Sequence, residues 1–314
     1  MTGAAGPVLA LSGGVGGAKL ALGLYRVLPP EALSVVANTG DDFVHLGLHV
    51  SPDLDTLLYT LSGLDNPETG WGRRGETWTF MQALASLGGE TWFKLGDGDL
   101  ATHVERTRRL AAGESLSEIT DDFRRRLGIR ARLLPMSDDP VRTWLLTDEG
   151  RLDFQDYFVR RQARPAVREI LYDGAAAARP QPQIMAALAD PALRLVVLCP
   201  SNPFLSIDPI LALPDLRAAL AACSAPVVAV SPIIGGRAVK GPTAKIMGEL
   251  GLPIADAAVA RHYRDILDLY IADAADADRL GDLDLPVRFV PTLMATLADR
   301  EALARAVLLA AAGL

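Results

Sequence analysis

Apolar and polar positions alternate between two periods along this chain. Val8–Leu11 is a continuous apolar run, as a buried strand should be, and Leu33–Ala37 is a second apolar strand. Between them Leu20, Leu24, Val27 and Leu28 recur at helical spacing, and Pro29-Pro30 closes that helix. Leu46, Leu48 and Val50 alternate as a half-buried strand would. Ser51 then stands where a helix cap belongs, with Pro52 at the first helical position and Asp53 and Asp55 in the first turn. The middle is more polar. It predicts helices over 77–87, 101–111 and 117–127, and strands over 130–134, 142–147 and 152–155. Apolar runs return at Leu193–Cys199 and Val227–Val230, each followed by a polar loop and a helix. Further strands are expected at 268–271 and 287–290, and an Ala/Leu-rich helix at 300–312. This βα alternation predicts an α/β, Rossmann-like fold with a mostly parallel, doubly wound sheet. A smaller mixed α/β insertion is expected at about 66–180. Ligands of such sheets bind beyond the carboxyl ends of the strands, where loops 12–17, 38–42, 200–206 and 231–241 fall.

Composition narrows the class. The 314 residues are half apolar and carry a net charge of -7. This suits a folded domain and disfavours a nucleic-acid polymer or an acidic membrane as partner. No apolar run is long enough to span a bilayer, and the start lacks a basic region and a hydrophobic stretch. Cys199 and Cys223 form no CxxC pair. A cytoplasmic setting is expected.

The chemistry concentrates in the loops. Ser12-Gly13-Gly14-Val15-Gly16-Gly17-Ala18-Lys19 lets backbone approach a ligand closely, and the helix start behind it favours an anion. Lys19 stands where a dinucleotide fingerprint needs glycine, and no Gly-Lys-Ser/Thr occurs, so neither standard phosphate motif is met. Asp41, Asp42, Asp53 and Asp55 lie on two neighbouring segments. They can converge on a hard cation, although Asp53 and Asp55 also suit the helix dipole. Gly96-Asp97-Gly98-Asp99 is a weaker acidic turn. Ser201-Asn202-Pro203 can bond a phosphate or sugar, or cap the next helix. Gly235, Gly236, Arg237 and Lys240 combine pliable backbone with cations that suit a diphosphate. Trp71, Trp78 and Trp92, with Arg73 and Arg74, form either a core or a stacking surface. No HExxH, GxSxG or SxxK pattern is present. The parts fit direct phosphoryl-type transfer, in which positioning and charge do most of the work.

Six segments occur in order: Gly13-Gly-Val-Gly-Gly-Ala18, Asn38-Thr-Gly-Asp-Asp42, Ser51-Pro-Asp-Leu-Asp-Thr56, Leu133-Leu-Pro-Met-Ser-Asp138, Ser201-Asn-Pro203, and Ser231-Pro-Ile-Ile-Gly-Gly236 with Lys240-Gly-Pro242. Together they resemble the 2-phospho-lactate transferase family of coenzyme F-420 biosynthesis. That resemblance implies transfer of a phospho-carboxylic acid from a guanosine diphosphate-linked donor to the ribityl hydroxyl of the deazaflavin Fo, releasing GMP. It implies magnesium and a homodimer. Asp41 and Asp55 become metal ligands, and Asp42 orients or deprotonates the Fo hydroxyl. Gly13, Gly14, Gly16, Gly17, Ser201, Asn202, Gly235, Gly236 and Lys240 hold the donor. Trp71, Arg74 and Trp78 lie near the acceptor. One departure stands out: Leu95-Gly-Asp-Gly-Asp99 replaces an expected Leu-Gly-Asp-Arg-Asp. The lost cation leaves phospho-lactate, phosphoenolpyruvate and phospho-glycerate donors all open. Two other readings compete. One is a non-catalytic nucleotide-sugar-binding regulator of the related gluconeogenesis-factor family. The other is a nicotinamide dehydrogenase, which Lys19 and Asn38 oppose.

Overall fold

A computed structural model describes residues 6–68, 70–238, 241–281 and 283–314. The first half runs β1 (Val8–Ser12), α1 (Gly14–Val27), β2 (Leu33–Ala37), β3 (Phe43–His45), β4 (Leu48–Val50), α2 (Pro52–Ser62), α3 (Thr79–Ser86), α4 (Asp97–Ala111) and α5 (Leu116–Arg126). It continues with β5 (Arg132–Pro135), β6 (Arg142–Thr147), β7 (Gly150–Asp153), β8 (Val167–Asp173) and α6 (Pro182–Leu188). The second half comprises β9 (Leu195–Leu198), α7 (Asp208–Leu211), α8 (Leu216–Ala221), β10 (Val227–Val230), β11 (Ile233–Ile234) and β12 (Arg237–Ala238). It ends with α9 (Thr243–Glu249), α10 (Asp256–His262), β13 (Leu269–Asp273), β14 (Val287–Val290) and α11 (Leu297–Ala311).

Seven strands form one sheet in the order β14-β13-β10-β9-β1-β2-β5, and every pairing is parallel. Strand order therefore reverses between β1 and β9, which is the point where an open α/β sheet leaves a crevice. The expected Rossmann-like class is thus what the chain adopts. Both faces of the sheet are covered. Val8, Ala10, Val35, Leu195 and Val197 pack with residues of α1, α2 and α11. Leu9, Leu11, Val36, Val196 and Leu198 face the opposite core, which includes α6, α8, α9, α10 and strands β6 to β8. That two-sided burial explains why the strands are continuous apolar runs rather than alternating ones.

Within the stretch expected as an insertion, β5 joins the main sheet beside β2. Strands β7-β6-β8 form a separate three-stranded antiparallel sheet. The strand expected through Leu46 is instead a hairpin, β3–β4. Leu46 (φ 52°) and Gly47 (φ 76°) make its tight turn, so the apolar alternation crosses a reversal. The helix expected from residue 101 begins at Asp97, because Gly96-Asp97-Gly98-Asp99 is a helix start rather than a free turn. Ser51 precedes α2 as expected, but its hydroxyl makes no cap bond and donates to Asp42 instead.

Candidate functional site

A cleft of about 710 Å³ opens over the switch point, lined by the loops after β1 and β9 and by the first turn of α2. Gly14 (φ 65°) turns the chain out of β1 in a left-handed conformation that suits glycine. The neighbouring glycines answer to crowding. A Cβ at Gly16 would strike the Pro200 carbonyl oxygen, and one at Gly17 would strike the hydroxyls of Ser12 and Ser201. The loop after β1 is thus pressed against the loop after β9. Gly13 N donates to Ser201 Oγ at 3.1 Å across that contact. Asn202 shapes its own loop. It accepts from Phe204 N and Leu205 N, and donates to Thr243 Oγ1 at 3.0 Å. Gly13, Gly14, Gly16, Ser201 and Asn202 all line the cleft.

The acidic floor is built around Asn38, which is fully buried at the end of β2. Its Nδ2 donates to Asp53 Oδ2 (3.0 Å) and Asp41 Oδ1 (3.3 Å), while its Oδ1 accepts from Gly40 N (2.8 Å). Asp53 also accepts from Gly14 N at 2.5 Å, so its carboxylate sits on the first turn of α1. Gln155 Nε2 reaches Asp41 Oδ2 at 3.4 Å. These partners are all neutral. Burial therefore dominates: it lifts Asp53 to about 6 against the opposing Asn38 and Gly14 bonds. Burial likewise raises Asp41 well above the usual carboxylate range, reinforced by the charge of Asp53.

Asp55 is treated differently. The resemblance pairs it with Asp41, but its carboxylate is gripped at both oxygens by the buried guanidinium of Arg106, with Nη1 to Oδ2 at 3.1 Å. It also belongs to a second cluster. Ligand atoms of Asp55, Asp99 and His103 all lie within 4.8 Å of one another. Tyr59 donates to Asp99 Oδ1 at 2.6 Å, and His103 Nε2 lies 3.2 Å from Asp99 Oδ2. Burial works against charge on Asp99, yet the His103 and Tyr59 contacts outweigh it and hold the carboxyl below its ordinary range. His103 and Arg106 escaped the sequence reading, although Asp99, His103 and Arg106 share one face of α4 at i, i+4 and i+7.

Other expected residues fall elsewhere. Asp42 is buried behind the cleft wall, accepting from Ser51 Oγ (2.8 Å) and facing His49 Nε2 (3.0 Å). Gly17 packs under the loop. Gly235 and Gly236 form the turn between β11 and β12, and Gly235 N donates to Asp276 Oδ2 at 2.6 Å. None of these four is among the cleft-lining residues. Lys240 lies outside the described residues. Trp71 lines the cleft and is 51% exposed, so it is no core residue. Trp78 is also exposed, and Arg74 Nη2 donates to the Gly63 carbonyl; neither lines the cleft. Trp92, Phe93, Phe154 and Phe158 complete an aromatic wall with Trp71. Phe154 and Phe158 stack at 5.5 Å and 14°. No helix among the described residues is long and apolar enough to cross a membrane.

The family described as 2-phospho-L-lactate transferase CofD matches residues 8–285. The chain belongs to the CofD family. It is a transferase of that family. It is 40% identical to a phosphoenolpyruvate transferase of Streptomyces griseus over 307 residues, covering 95% of this chain and 96% of that one. It is 36% identical to the 2-phospho-L-lactate transferase of Methanocaldococcus jannaschii, again over 95% and 96% of the two chains. A solved Bacillus halodurans protein of the upf0052 family shares the fold, with a TM-score of 0.62 at 15% identity over 96% of this chain and 98% of its own.

Proposed function

We propose that the protein transfers a phospho-carboxylic acid from a guanosine diphosphate-linked donor to the ribityl hydroxyl of Fo, releasing GMP, in coenzyme F-420 biosynthesis. The observation that carries this reading is the Asp41–Asp53 pair, set against the glycine loop at the switch point of a CofD-family chain. Two buried carboxylates with neutral partners fit a hard cation, and an all-oxygen donor set suits magnesium. Asp41 and Asp53 would hold it, with Asp55 close by under Arg106. When bound, magnesium would offset the negative charge of the diphosphate.

The chain's own residues supply the rest. The loop after β1 and the Ser201-Asn202 loop cradle the diphosphate. Trp71, Trp92, Phe93, Phe154 and Phe158 offer flat faces for the deazaflavin ring, with Arg74 and Trp78 at the outer margin. In the reaction the Fo hydroxyl oxygen bonds to the phosphorus that carries the acid. The bond from that phosphorus to the bridging oxygen breaks, and GMP leaves with that oxygen. The hydroxyl proton passes to a cleft-lining carboxylate that does not hold the cation, Asp55 or Asp99. Asp42, the base implied by the resemblance, would act on the hydroxyl only after leaving its Ser51 and His49 partners.

Phosphoenolpyruvate is the favoured donor acid. Streptomyces relatives carrying that name are 39 to 40% identical, against 35 to 38% for the archaeal 2-phospho-L-lactate transferases. The test is a mass-spectrometric assay with Fo, magnesium and all three guanosine diphosphate-linked acids. GMP plus a mass-shifted deazaflavin is the expected result, and the mass names the acid. Folded protein with intact donors and no product would refute the reading.

A further inference from the structure

Beyond β10 the chain folds back as the hairpin β11–β12, and Ser231, Pro232 and Ile234 of this strap line the cleft. Two carboxyl groups beneath hold the strap. Asp256, at the start of α10, takes its base. Ser231 Oγ donates to Asp256 Oδ1, and Tyr270 Oη of β13 donates to the same oxygen at 3.5 Å. The Ser231 hydroxyl also accepts from Ile233 N at 3.0 Å, so the grip passes into β11. Asp276, in the turn after β13, takes the tip, where its Oδ2 accepts from Gly235 N at 2.6 Å. Both residues of that tip are glycines in the left-handed region, so the strap has little stiffness of its own once the bond is lost.

The two carboxyls also face each other. Asp256 is 4% exposed and Asp276 1%. They stand within hydrogen-bond reach of one another. Asp276 Oδ1 is buried, and among the described residues no donor bonds to it. Arg279 Nη1 lies 3.9 Å away on a largely exposed side chain. A buried acceptor without a donor is costly, and a proton on Asp256 supplies that donor. Asp256 Oδ1 is taken by Ser231 and Tyr270, which leaves Oδ2 to carry the proton. The Gly235 amide and Arg279 favour charge on Asp276, so Asp256 is the partner that holds the proton. Burial pushes the Asp256 carboxyl up to about 6, against the Ser231 bond and with the help of the Asp276 charge. Other charged groups of the surrounding elements are turned elsewhere. Asp273 accepts from Ala275 N and Thr292, and Arg261 and His262 stand at the far end of α10.

We propose that Asp256 and Asp276 share one proton and act as a latch on the β11–β12 strap, fixing that wall of the cleft while the proton is present and releasing it when the pair ionises. In the ionised pair two like charges meet in a buried space. Ser231 and Tyr270 cannot neutralise them, and Arg279 stands on the solvent side. Letting water in relieves the repulsion, and water enters by parting Gly235 N from Asp276 and Ser231 from Asp256. The latch is therefore closed on the acid side of about pH 6 and loosens above it.

The test is hydrogen–deuterium exchange of residues 231–238, read by mass spectrometry at about pH 5 and about pH 8 and corrected for the intrinsic pH dependence of exchange. Protection of the wild-type strap should fall as pH rises, by at most about a hundredfold, the factor that accompanies lifting a carboxyl from 3.8 to about 6. Asp256→Asn keeps an N–H for Asp276 and cannot ionise, so its strap should stay protected at both pH values. Asp276→Asn removes the second charge and should flatten the profile as well. Ser231→Ala loses one bond and keeps both carboxyls, so its strap should exchange faster at both pH values and retain the pH step. Circular dichroism checks that the variants fold, and Asp276→Asn decides the matter if Asp256→Asn does not. Wild-type protection that is equal at the two pH values, or a pH step that survives in a folded asparagine variant, overturns the latch and leaves the pair as fixed anchors of the hairpin.

Discussion

Replacing Asp53 by asparagine should make the metal-free protein more stable while removing its activity. Burial lifts the Asp53 carboxyl from 3.8 to about 6. A rise of about 2 pH units corresponds to about 3 kcal/mol between the two protonation states. The sign follows from the direction. Below about pH 4 the carboxyl is protonated in folded and unfolded chains alike, and there is no penalty. Between about pH 4 and pH 6 the unfolded chain ionises first, so folding loses stability as pH rises, and above about pH 6 the full penalty applies. Asparagine cannot ionise and escapes it. It keeps one acceptor, which serves Gly14 N–H, but loses the bond from Asn38 Nδ2 at a cost of about 1 kcal/mol. The net gain is about 2 kcal/mol. With an unfolding entropy of about 2.1 cal/mol/K per residue, that is a rise in Tm of about 3 °C for a chain of this size. The assay is a thermal melt with chelator at about pH 8 and about pH 4. Asp53→Asn should melt higher at the alkaline pH, and the advantage should vanish on acidification. Magnesium should then raise the Tm of wild type but not of the variant. An Asp53→Asn protein that melts below wild type at about pH 8 without metal, or gains on acidification, would refute the reasoning.

Asp41→Asn should lower kcat by orders of magnitude while the circular dichroism spectrum stays native; unchanged turnover would remove Asp41 from the site. Arg106→Met strands the buried Asp55 carboxylate and should cost about 3–5 kcal/mol in urea unfolding, whereas a loss under about 1 kcal/mol would mean that Asp55 finds another partner. Gly16→Ala drives a methyl into the Pro200 carbonyl and should weaken GDP binding more than Fo binding, measured by titration of each. Phe158→Ala, on the exposed side of the aromatic wall, should raise the KM for Fo with the donor KM unchanged.

The sheet was the most legible part of this chain because burial on both faces writes strands as unbroken apolar runs. Val227–Val230 is such a strand over the range that the pattern marks, and Val287–Val290, an exposed edge strand broken by Arg288, also falls where it was expected. Periodicity carries no information about neighbours, so β5 read as part of an insertion although it pairs with β2. β8 went unseen because Val167-Arg168-Glu169 interrupts its apolar character with two exposed charges. At the cleft, the glycine loop, Asp41, Asp53, Asp55 and Ser201 were found because each sits just past a strand or at a helix start. The partners of these groups were harder. Nothing local tells that Arg106, 51 positions after Asp55, neutralises it, or that Asn38 donates to both Asp41 and Asp53. Those facts arise only when α4 packs against β4 and the loop after β2 meets the start of α2.

The Asp53 carboxylate on the opening turn of α1 also fixes an order of arrival. An anion approaching that turn alone meets a negative group already lodged there and bonded to Gly14 N. Under the proposed function, bare diphosphate would be repelled there, whereas a diphosphate escorted by a divalent ion would bring charge that the carboxylate attracts. The helix start would then act as a turnstile, admitting the donor only in company and turning free phosphate away.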